Sequence, residues 1–248
     1  MTHRDLAWQG CFNARDLGGL PTLDGGTTRR GAVVRADRLD HLTDAGWAAL
    51  RAHGVRTVVD LREVDETAEA PVPPAGVERM SVPLDDAADT AFWRRLREQG
   101  LSSGTPLYFA PFLRAKADRC ARAVTAVAEA PPGGVVVHCA SGRDRTGLIS
   151  LLLLALVGAR PGDIADDYGR SGERLPPLFA QLGREDEAPL IRALLRARGT
   201  TARAEILAVL REFDVAALLR AAGLTDRALA ALRARLTDPP PTEAARRR

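Results

Sequence analysis

Residues 135–157 read VVVHCASGRDRTGLISLLLLALV, and this stretch decides how the chain is expected to fold. A short apolar run ends at His138, a loop that contains Gly142 follows, and a second apolar run begins at Leu148. This order predicts a buried strand, a tight loop and a helix that begins at Thr146. The backbone N–H groups of such a loop turn inward at a helix N-terminus, an arrangement that binds tetrahedral oxyanions such as phosphate.

The same loop carries the residue types needed to cleave a phosphate ester. Cys139 opens the loop, and the helix N-terminus together with Arg143, Arg145 and His138 favours the thiolate, the nucleophilic form of cysteine. The planar guanidinium of Arg145 can hold two phosphate oxygens at once. The pattern therefore predicts that Cys139 attacks phosphorus, forms a phosphocysteine and is released by water. The hydroxyl of Thr146 is expected to donate a hydrogen bond to the cysteine sulfur.

The rest of the loop is expected to bind the substrate. The predicted substrate-binding residues of the loop are Ala140, Ser141, Gly142, Arg143 and Thr146. A thiolate mechanism of this kind needs no metal and no cofactor. The spacing of His3, His41 and His53 does not suggest a metal site either.

A second candidate for substrate binding is Arg62, which follows a predicted strand in the run Asp60-Leu61-Arg62. Two roles are open for this arginine and for Glu66 nearby. They either face the substrate or form a buried ion-paired support for the loop. An Asp-Leu-Arg run at a strand end is more often a structural ion pair, so that role is favoured.

The leaving group of a phosphate ester needs a proton, and two carboxylates can supply it. Asp144 lies inside the loop, whereas Asp85 follows a predicted strand that should end at the same rim. The alternative roles are an ion pair with an arginine for Asp144 and a helix N-cap for Asp85. The loop holds Asp144 beside the nucleophile, which favours it narrowly as the acid. Asp85 would then orient water or the substrate.

Composition limits the kinds of protein that the chain can be. A length of 248 residues with 46% hydrophobic content suits one domain, placed at residues 1–237. The last eleven residues contain three prolines and three terminal arginines, so residues 238–248 are expected to be a disordered tail. A formal charge of +3 suits an acidic substrate, whereas an aromatic content of 4% argues against a stacking surface for nucleic acid. Nothing in the sequence indicates an oligomeric state.

Location follows from cysteine usage and hydropathy. Three scattered cysteines do not form a disulfide framework, which indicates a reducing compartment. The first ten residues lack an apolar secretory core. The longest apolar stretch, Leu148–Val157, is about half the length that a membrane span requires. We therefore expect a cytoplasmic protein without stable membrane insertion, with export by a signal-less route left open.

Alternating strand and helix patterns predict an α/β fold with a central mixed sheet, flanking helices and a helical C-terminal half. The strand candidates are Gly31–Arg35, Val55–Leu61, Val77–Leu84 and Val135–Val137. The helix candidates are Thr43–His53, Leu113–Glu129 and a series over Pro161–Leu236. A loop-rich insertion at Ala87–Pro111 contains a short helix around Trp93 and is positioned to cover the active site.

Four segments resemble the bacterial tyrosine phosphatases related to the dual-specificity phosphatases, the group typified by the mycobacterial tyrosine phosphatase B. The loop of that group, His-Cys-x-x-Gly-Lys-Asp-Arg-Thr-Gly, matches residues 138–147 with one departure. The other matching segments are Asn13–Gly19, Val34–Leu39 and Val59–Arg62 with Glu66. The likeness runs from about Phe12 to Leu236 and implies a single phosphatase domain of that fold.

The resemblance implies a role for each matching residue. It makes Cys139 the nucleophile, Arg145 the phosphate-binding arginine and Asp144 the loop aspartate to which acid catalysis has been assigned, with Asp85 on the adjoining loop. The departure is Arg143, which replaces a lysine linked to a second phosphate on phosphoinositides. Arginine keeps the charge but changes the shape of that contact.

Three functions follow as hypotheses. The favoured one is hydrolysis of phosphotyrosine in proteins, with some activity on phosphoserine or phosphothreonine. The first alternative is hydrolysis of phosphoinositides or other small phosphoesters. The second is a phosphate-binding module without turnover, which the presence of both Cys139 and Arg145 disfavours.

Overall fold

The computed structural model describes residues 4–68, 70–101 and 104–238. In this part of the chain, five strands form one mixed sheet in the order β1-β2-β5-β3-β4. Strand β1 pairs with β2 in the antiparallel sense, and all other neighbours are parallel. The strands are β1 (Arg15–Asp16), β2 (Val33–Ala36), β3 (Val55–Asp60), β4 (Glu78–Ser81) and β5 (Gly134–His138).

Helices cover both faces of this sheet and make up most of the C-terminal half, as the hydropathy pattern predicts. They are α1 (Asp44–Ala52), α2 (Thr90–Glu98), α3 (Phe109–Glu129), α4 (Arg145–Leu156), α5 (Pro161–Gly169), α6 (Ser171–Arg174), α7 (Pro176–Gln181), α8 (Ala188–Ala197), α9 (Ala202–Glu212), α10 (Val215–Ala221) and α11 (Asp226–Leu236). Short 3-10 turns lie at Val64–Thr67 and Pro106–Tyr108. The mixed α/β architecture predicted from the sequence is confirmed.

The central strand β5 explains how one core holds the sheet and helices together. Val135 and Val137 face α3 and α4, whereas Val136 faces the opposite layer, which contains α1. All three side chains are buried because parallel strands are covered on both faces. The C-terminal helix α11 packs its leucines into the same core as α3 and α4.

Helix boundaries follow local capping chemistry. Thr43 caps α1 by accepting a hydrogen bond from the backbone of Gly46, and Thr201 and Thr225 cap α9 and α11 in the same way. Helix α5 begins at Pro161, which lacks the N–H that a helix start leaves unpaired. These helix starts agree with the sequence pattern.

One predicted strand needs correction. The run Val77–Leu84 was expected to be a buried strand, but β4 has four residues, all exposed. This strand lies at the edge of the sheet and pairs with β3 alone among the described strands, so its outer side faces solvent. Only Val77 and Leu84, which flank it, are buried.

The expected tail lies almost entirely outside the described residues. Its first residue, Asp238, is described and forms an ion pair with Arg29, whose Nε lies 2.8 Å from Oδ1. Residues 239–248 are not described, so their predicted disorder is untested. The domain boundary at residue 237 is also a prediction still.

The topology brings four chain segments to one edge of the sheet. Strands β2, β3, β4 and β5 are parallel, so their carboxyl ends open on the same side. Arg38, Arg62, Asp85 and Cys139 each follow one of these ends. Ligands of open parallel sheets bind at this edge, so a functional site is expected there.

Candidate active site

Residues 139–144 form a loop between β5 and α4, and the carbonyl groups of this loop accept hydrogen bonds from residues outside it. The backbone N–H of Arg38 donates to the carbonyl of Ala140 at 3.0 Å, the side-chain amide of Asn13 to that of Ser141 at 3.0 Å, and the guanidinium of Arg35 to that of Gly142 at 2.7 Å. The backbone N–H groups of residues 140–144 donate no hydrogen bond to any other residue that the structure describes. These donors lie at the start of α4 and suit a tetrahedral anion.

Gly142 is required for the shape of this loop. Its φ angle is +67°, in the left-handed region where side chains are strained. A Cβ at this position would lie 2.3 Å from the carbonyl oxygen of Ala36 at the end of β2. The loop can therefore approach β2 closely only with glycine at this position.

A buried ion-pair cluster supports the loop from below. Asp167 on α5 pairs with Arg35 at 2.7 Å, with Arg4 at 2.8 Å and with Arg15 at 3.2 Å. Although burial by itself would raise the pKa of Asp167, the charges of these arginines hold it well below its usual range. Burial, together with the charge of Arg35, lowers the pKa of Arg15 to about 9. The ionised carboxylate of Asp167 therefore holds Arg35 in the position from which it donates to the loop.

Cys139 lies at the bottom of a cavity of about 250 Å³, with 2% of its surface exposed. The predicted site residues that line this cavity are Asp85, Cys139, Ala140, Ser141, Arg143, Asp144 and Arg145. The structure thus brings the predicted nucleophile, the phosphate-binding arginine and both candidate acids to one place. Gly142 and Thr146 belong to the loop backbone and helix start instead of the cavity wall.

Arg145 is held by two carboxylates at the mouth of the loop. Its Nη1 and Nη2 lie 2.5 and 2.8 Å from the two oxygens of Glu66, and Nη1 lies 3.2 Å from Asp85. Burial alone would lower the pKa of Arg145, but the hydrogen bonds that it donates to Glu66 and the charges of Cys139 and Asp85 raise it. The guanidinium is therefore a permanent cation oriented beside the nucleophile.

The two candidate acids differ in their surroundings. Burial raises the pKa of Asp85 to about 6; the charge of Arg145 opposes this rise, and the charges of Glu66, Glu63 and Asp144 add to it. A carboxyl with a pKa near neutrality can hold a proton at the start of a reaction and release it.

Asp144 is engaged by its neighbour in the loop. Both of its carboxylate oxygens accept hydrogen bonds from Arg143 at 3.3 Å. This is the ion-paired alternative that the sequence left open for Asp144. The same carboxylate lines the cavity, and its role as the acid stays a prediction.

Arg143 is buried and paired, which changes the expectation for this position. Besides Asp144, its guanidinium binds Glu187 at the start of α8, with 2.9 Å between Nη2 and Oε2. An arginine whose charge is neutralised by two carboxylates attracts a second phosphate less strongly. Substrate contact by Arg143 stays a prediction.

Two expectations about neighbouring side chains are corrected. The hydroxyl of Thr146 is buried and forms no hydrogen bond with any described residue, so the predicted bond to Cys139 is absent. Burial lowers the pKa of His138, which makes its ring neutral at pH 7 instead of a cation. Its Nδ1 lies 3.1 Å from the carbonyl oxygen of Cys139, a contact that positions the loop entrance.

Arg62 takes the ion-paired role that the sequence favours over substrate binding. It is buried, and its guanidinium is bound by Asp60 at 2.8 and 2.9 Å and by Asp40 at 2.6 Å. It does not line the cavity around Cys139. Two carboxylates occupy its donors, so Arg62 supports the site as an ion pair and is removed from the substrate-binding residues.

One wall of the cavity is not predicted by the sequence. Helix α7 and the loop that follows it contribute five residues, Leu178, Phe179, Leu182, Arg184 and Glu187. The segment expected to cover the site, Ala87–Pro111, contributes Gly104 and Tyr108. Trp93 in the same segment donates its ring N–H to the carbonyl of Asp85 at 3.1 Å. The wall from α7 had no motif to reveal it, because its apolar residues look like those of any packed helix.

The described residues contain neither a membrane-spanning helix nor a metal-binding cluster. No helix there combines the length and hydropathy needed to cross a membrane. In the same residues, histidine, cysteine and carboxylate side chains form no cluster of three or more that suits a metal ion.

Comparisons with known proteins show which proteins this chain is similar to. A model of the tyrosine phosphatase family matches residues 6–238. The triple specificity protein phosphatase PtpB of Mycobacterium tuberculosis is 31% identical over 202 residues, which cover 70% of this chain and 71% of that protein. A tyrosine-protein phosphatase of Nostoc commune is 32% identical over 160 residues, or 58% of this chain and 49% of that protein. The crystal structure of P. aeruginosa TpbA matches with 21% identity and a TM-score of 0.34, over 76% of this chain and 84% of that one.

Proposed function

The chain belongs to the tyrosine phosphatase family, and from that premise we propose that it hydrolyses phosphotyrosine in proteins through a phosphocysteine on Cys139. The observation that carries this proposal is the loop 139–144. The carbonyl groups of this loop accept hydrogen bonds from residues outside it, so its N–H groups are available to bind an anion. Cys139 lies at the bottom of the cavity that the loop lines. Such a cradle stabilises the charge of a transferring phosphoryl group.

The first step is attack on phosphorus by the Cys139 thiolate. The S–P bond forms as the bond from phosphorus to the ester oxygen breaks, and the leaving oxygen takes up a proton. Arg145 and the loop N–H groups hold the three phosphoryl oxygens in the ground state and in the transition state. In the second step, water attacks the phosphocysteine, which yields inorganic phosphate and the free thiolate.

We assign the proton donor to Asp85, although the sequence favours Asp144. The pKa of Asp85, about 6, leaves a useful fraction protonated near neutral pH. Asp144 is bound by Arg143 through both carboxylate oxygens, and its main role is then to hold the loop. In the second step, ionised Asp85 accepts the proton of the attacking water.

The shape of the cavity supports an aryl ester. Its sides include Leu178, Phe179 and Tyr108, which can contact the phenyl ring of phosphotyrosine while the phosphate reaches Cys139. Phosphoserine and phosphothreonine are shorter and reach a buried sulfur less well. Arg143 occupies the position linked to a second phosphate of phosphoinositides, and its pairing with Asp144 and Glu187 disfavours the phosphoinositide alternative.

The proposed cellular location is a reducing compartment. The three cysteines are all unpaired, which supports a reducing compartment such as the cytoplasm. Residues 1–237 are proposed to be a single phosphatase domain.

The test uses phosphotyrosine peptides and purified full-length protein. Cys139→Ser is expected to abolish turnover while peptide binding persists, because a serine hydroxyl is not ionised by the fields that favour a thiolate. Acid quench of the wild-type enzyme with ³²P-labelled peptide should trap radioactive phosphocysteine. A Cys139→Ser enzyme with turnover near wild type, or the absence of any trapped intermediate, would exclude this mechanism.

Arg145→Lys serves as the second variant. A point charge replaces a planar fork, so we expect kcat to fall by more than tenfold, which corresponds to about 1.4 kcal/mol. Loss of wild-type activity on addition of a chelator would also contradict a metal-independent thiolate mechanism.

A further inference from the structure

A second cavity, of about 470 Å³, shares Arg143 with the candidate active site and is otherwise separate from it in its lining. One wall is helix α8. The others are the turn between α5 and α6, the start of α9, and Pro106. A volume in this range is typical of cavities that bind small molecules.

The walls of this cavity are mainly apolar. Helix α8 contributes Ala188, Ile191 and Leu195, which lie on one face at helical spacing. Tyr168 and Ala202 belong to the opposite walls. Only Ala188 and Leu195 of the ten residues of α8 are buried, so this helix is weakly packed and borders the cavity with its apolar face.

The charges around the cavity are unbalanced. Arg192 and Arg196 are exposed, lie one helical turn apart, and form no ion pair with any described residue. Glu173 is the carboxylate in the lining, and it lies on the other wall. The remaining cations in the lining are satisfied, since Arg203 pairs with Asp166 and Arg143 with Asp144 and Glu187.

We propose that this second cavity binds a medium-chain alkyl carboxylate. The alkyl chain would lie against Ile191 and Leu195, and the carboxylate would bind Arg192 and Arg196 at the rim. An apolar cavity with two unmatched guanidinium groups at its edge complements this combination of an extended apolar body and one negative charge. A neutral alkyl chain would lack the rim contact, and a small hydrophilic anion would gain nothing from the apolar walls.

Isothermal titration of the full-length protein with sodium hexanoate and octanoate, below their micellar concentrations, tests this proposal. Two additional buried methylenes should tighten binding roughly tenfold from hexanoate to octanoate. Saturating inorganic phosphate, which occupies the loop at Cys139, should leave the dissociation constant of octanoate unchanged. Competition by phosphate would assign the carboxylate to the active site and overturn the proposal.

Matched variants locate the site. The double variant Arg192→Gln/Arg196→Gln should weaken octanoate binding at least tenfold and leave binding of octan-1-ol unchanged. The control is Arg211→Gln/Arg227→Gln, which removes the same charge from exposed helix positions outside the cavity and should change octanoate binding less than twofold. Equal effects of the two double variants would show a general charge effect and overturn the proposal.

Ile191→Gln provides an independent variant of the apolar wall, because its side chain is partly exposed and its replacement does not open the core. Octanoate should bind at least fivefold more weakly to it, whereas turnover of an aryl phosphate should match that of the wild type. This turnover assay also separates the two proposals, since its failure in the wild type would concern Cys139 and not the second cavity. Unchanged octanoate affinity in Ile191→Gln would exclude the cavity as the site.

Discussion

The carboxylate of Glu66 holds the guanidinium of Arg145 end-on, with both terminal nitrogens bound at 2.5 and 2.8 Å. This pairing uses one edge of the planar group and leaves Nε and its neighbouring edge for the substrate. We therefore propose that Glu66 is a positioning residue that orients the guanidinium of Arg145.

Replacement of Glu66 by alanine is expected to lower kcat about tenfold on an aryl phosphate, since Arg145 then loses its fixed orientation in the transition state. The measurement is steady-state kinetics with wild type, Glu66→Ala and the neighbouring control Asp65→Ala, whose side chain is exposed and does not line the cavity. A change in KM alone, with kcat preserved, would show that Glu66 affects only ground-state binding.

The assignment of the acid is tested by leaving-group dependence. Phenols have a pKa of about 10, and alcohols are far weaker acids, so an alkoxide cannot leave unprotonated. With Asp85→Asn, turnover should depend steeply on the pKa of the leaving group across a series of aryl phosphates, whereas Asp144→Asn should keep the shallow wild-type dependence. The reverse outcome would return the role to Asp144.

The pH profile gives a second measure of Asp85. Its pKa of about 6 means that the acid form is present below that value and is lost as the pH rises through it. For phosphotyrosine, kcat should therefore fall above about pH 6 in the wild type. In Asp85→Asn this alkaline limb should disappear, which a profile from pH 5 to pH 8 would reveal.

Asp85 should also cost stability. Its pKa is raised from 3.8 to about 6, so the folded protein binds this proton more tightly than the unfolded chain does. The stabilisation that comes from this bound proton is complete below about pH 4, is lost as the pH rises to 6, and is absent above that. At pH 8, the free energy of unfolding of Asp85→Asn should therefore exceed that of the wild type by about 2–3 kcal/mol, and at pH 5 the gain should be smaller. Denaturant unfolding at both pH values measures the difference. An equal gain at both pH values would contradict this linkage.

Two glycines with similar backbone angles allow a matched test of the loop. Gly142 has φ +67° and no space for a Cβ, whereas Gly158 has φ +75° and no atom within 4 Å of that position. Gly158→Ala should cost about 1 kcal/mol for backbone strain alone. Gly142→Ala should cost about 3 kcal/mol or more and abolish turnover, because the loop must move away from Ala36. Urea unfolding and aryl phosphate kinetics measure both effects. Similar stability losses in the two variants would argue against steric contact with β2.

The predicted elements that agree with the structure are those with a strong local signal. The valine run before His138, the loop glycines and the apolar helix after Thr146 identify β5, the loop 139–144 and α4, because each depends on neighbours in sequence. The caps Thr43, Thr201 and Thr225 mark helix starts for the same reason: the hydroxyl bonds a backbone group three residues away. The edge position of β4 could not be read in this way, because burial depends on which strand lies alongside.

By itself, the sequence of this protein pointed to Cys139 as the candidate nucleophile, to Arg145 as the candidate phosphate-binding arginine and to the strand-loop-helix unit that holds both, since all three lie within residues 135–157. Only the tertiary structure decided which partners surround them. Arg62 is bound by Asp40, Arg143 by Glu187 and Arg145 by Glu66, contacts across 22, 44 and 79 residues of chain. Coulomb energy and burial act through distance in space, so a charge that looks available in the sequence is free or matched only once the fold has chosen its neighbours.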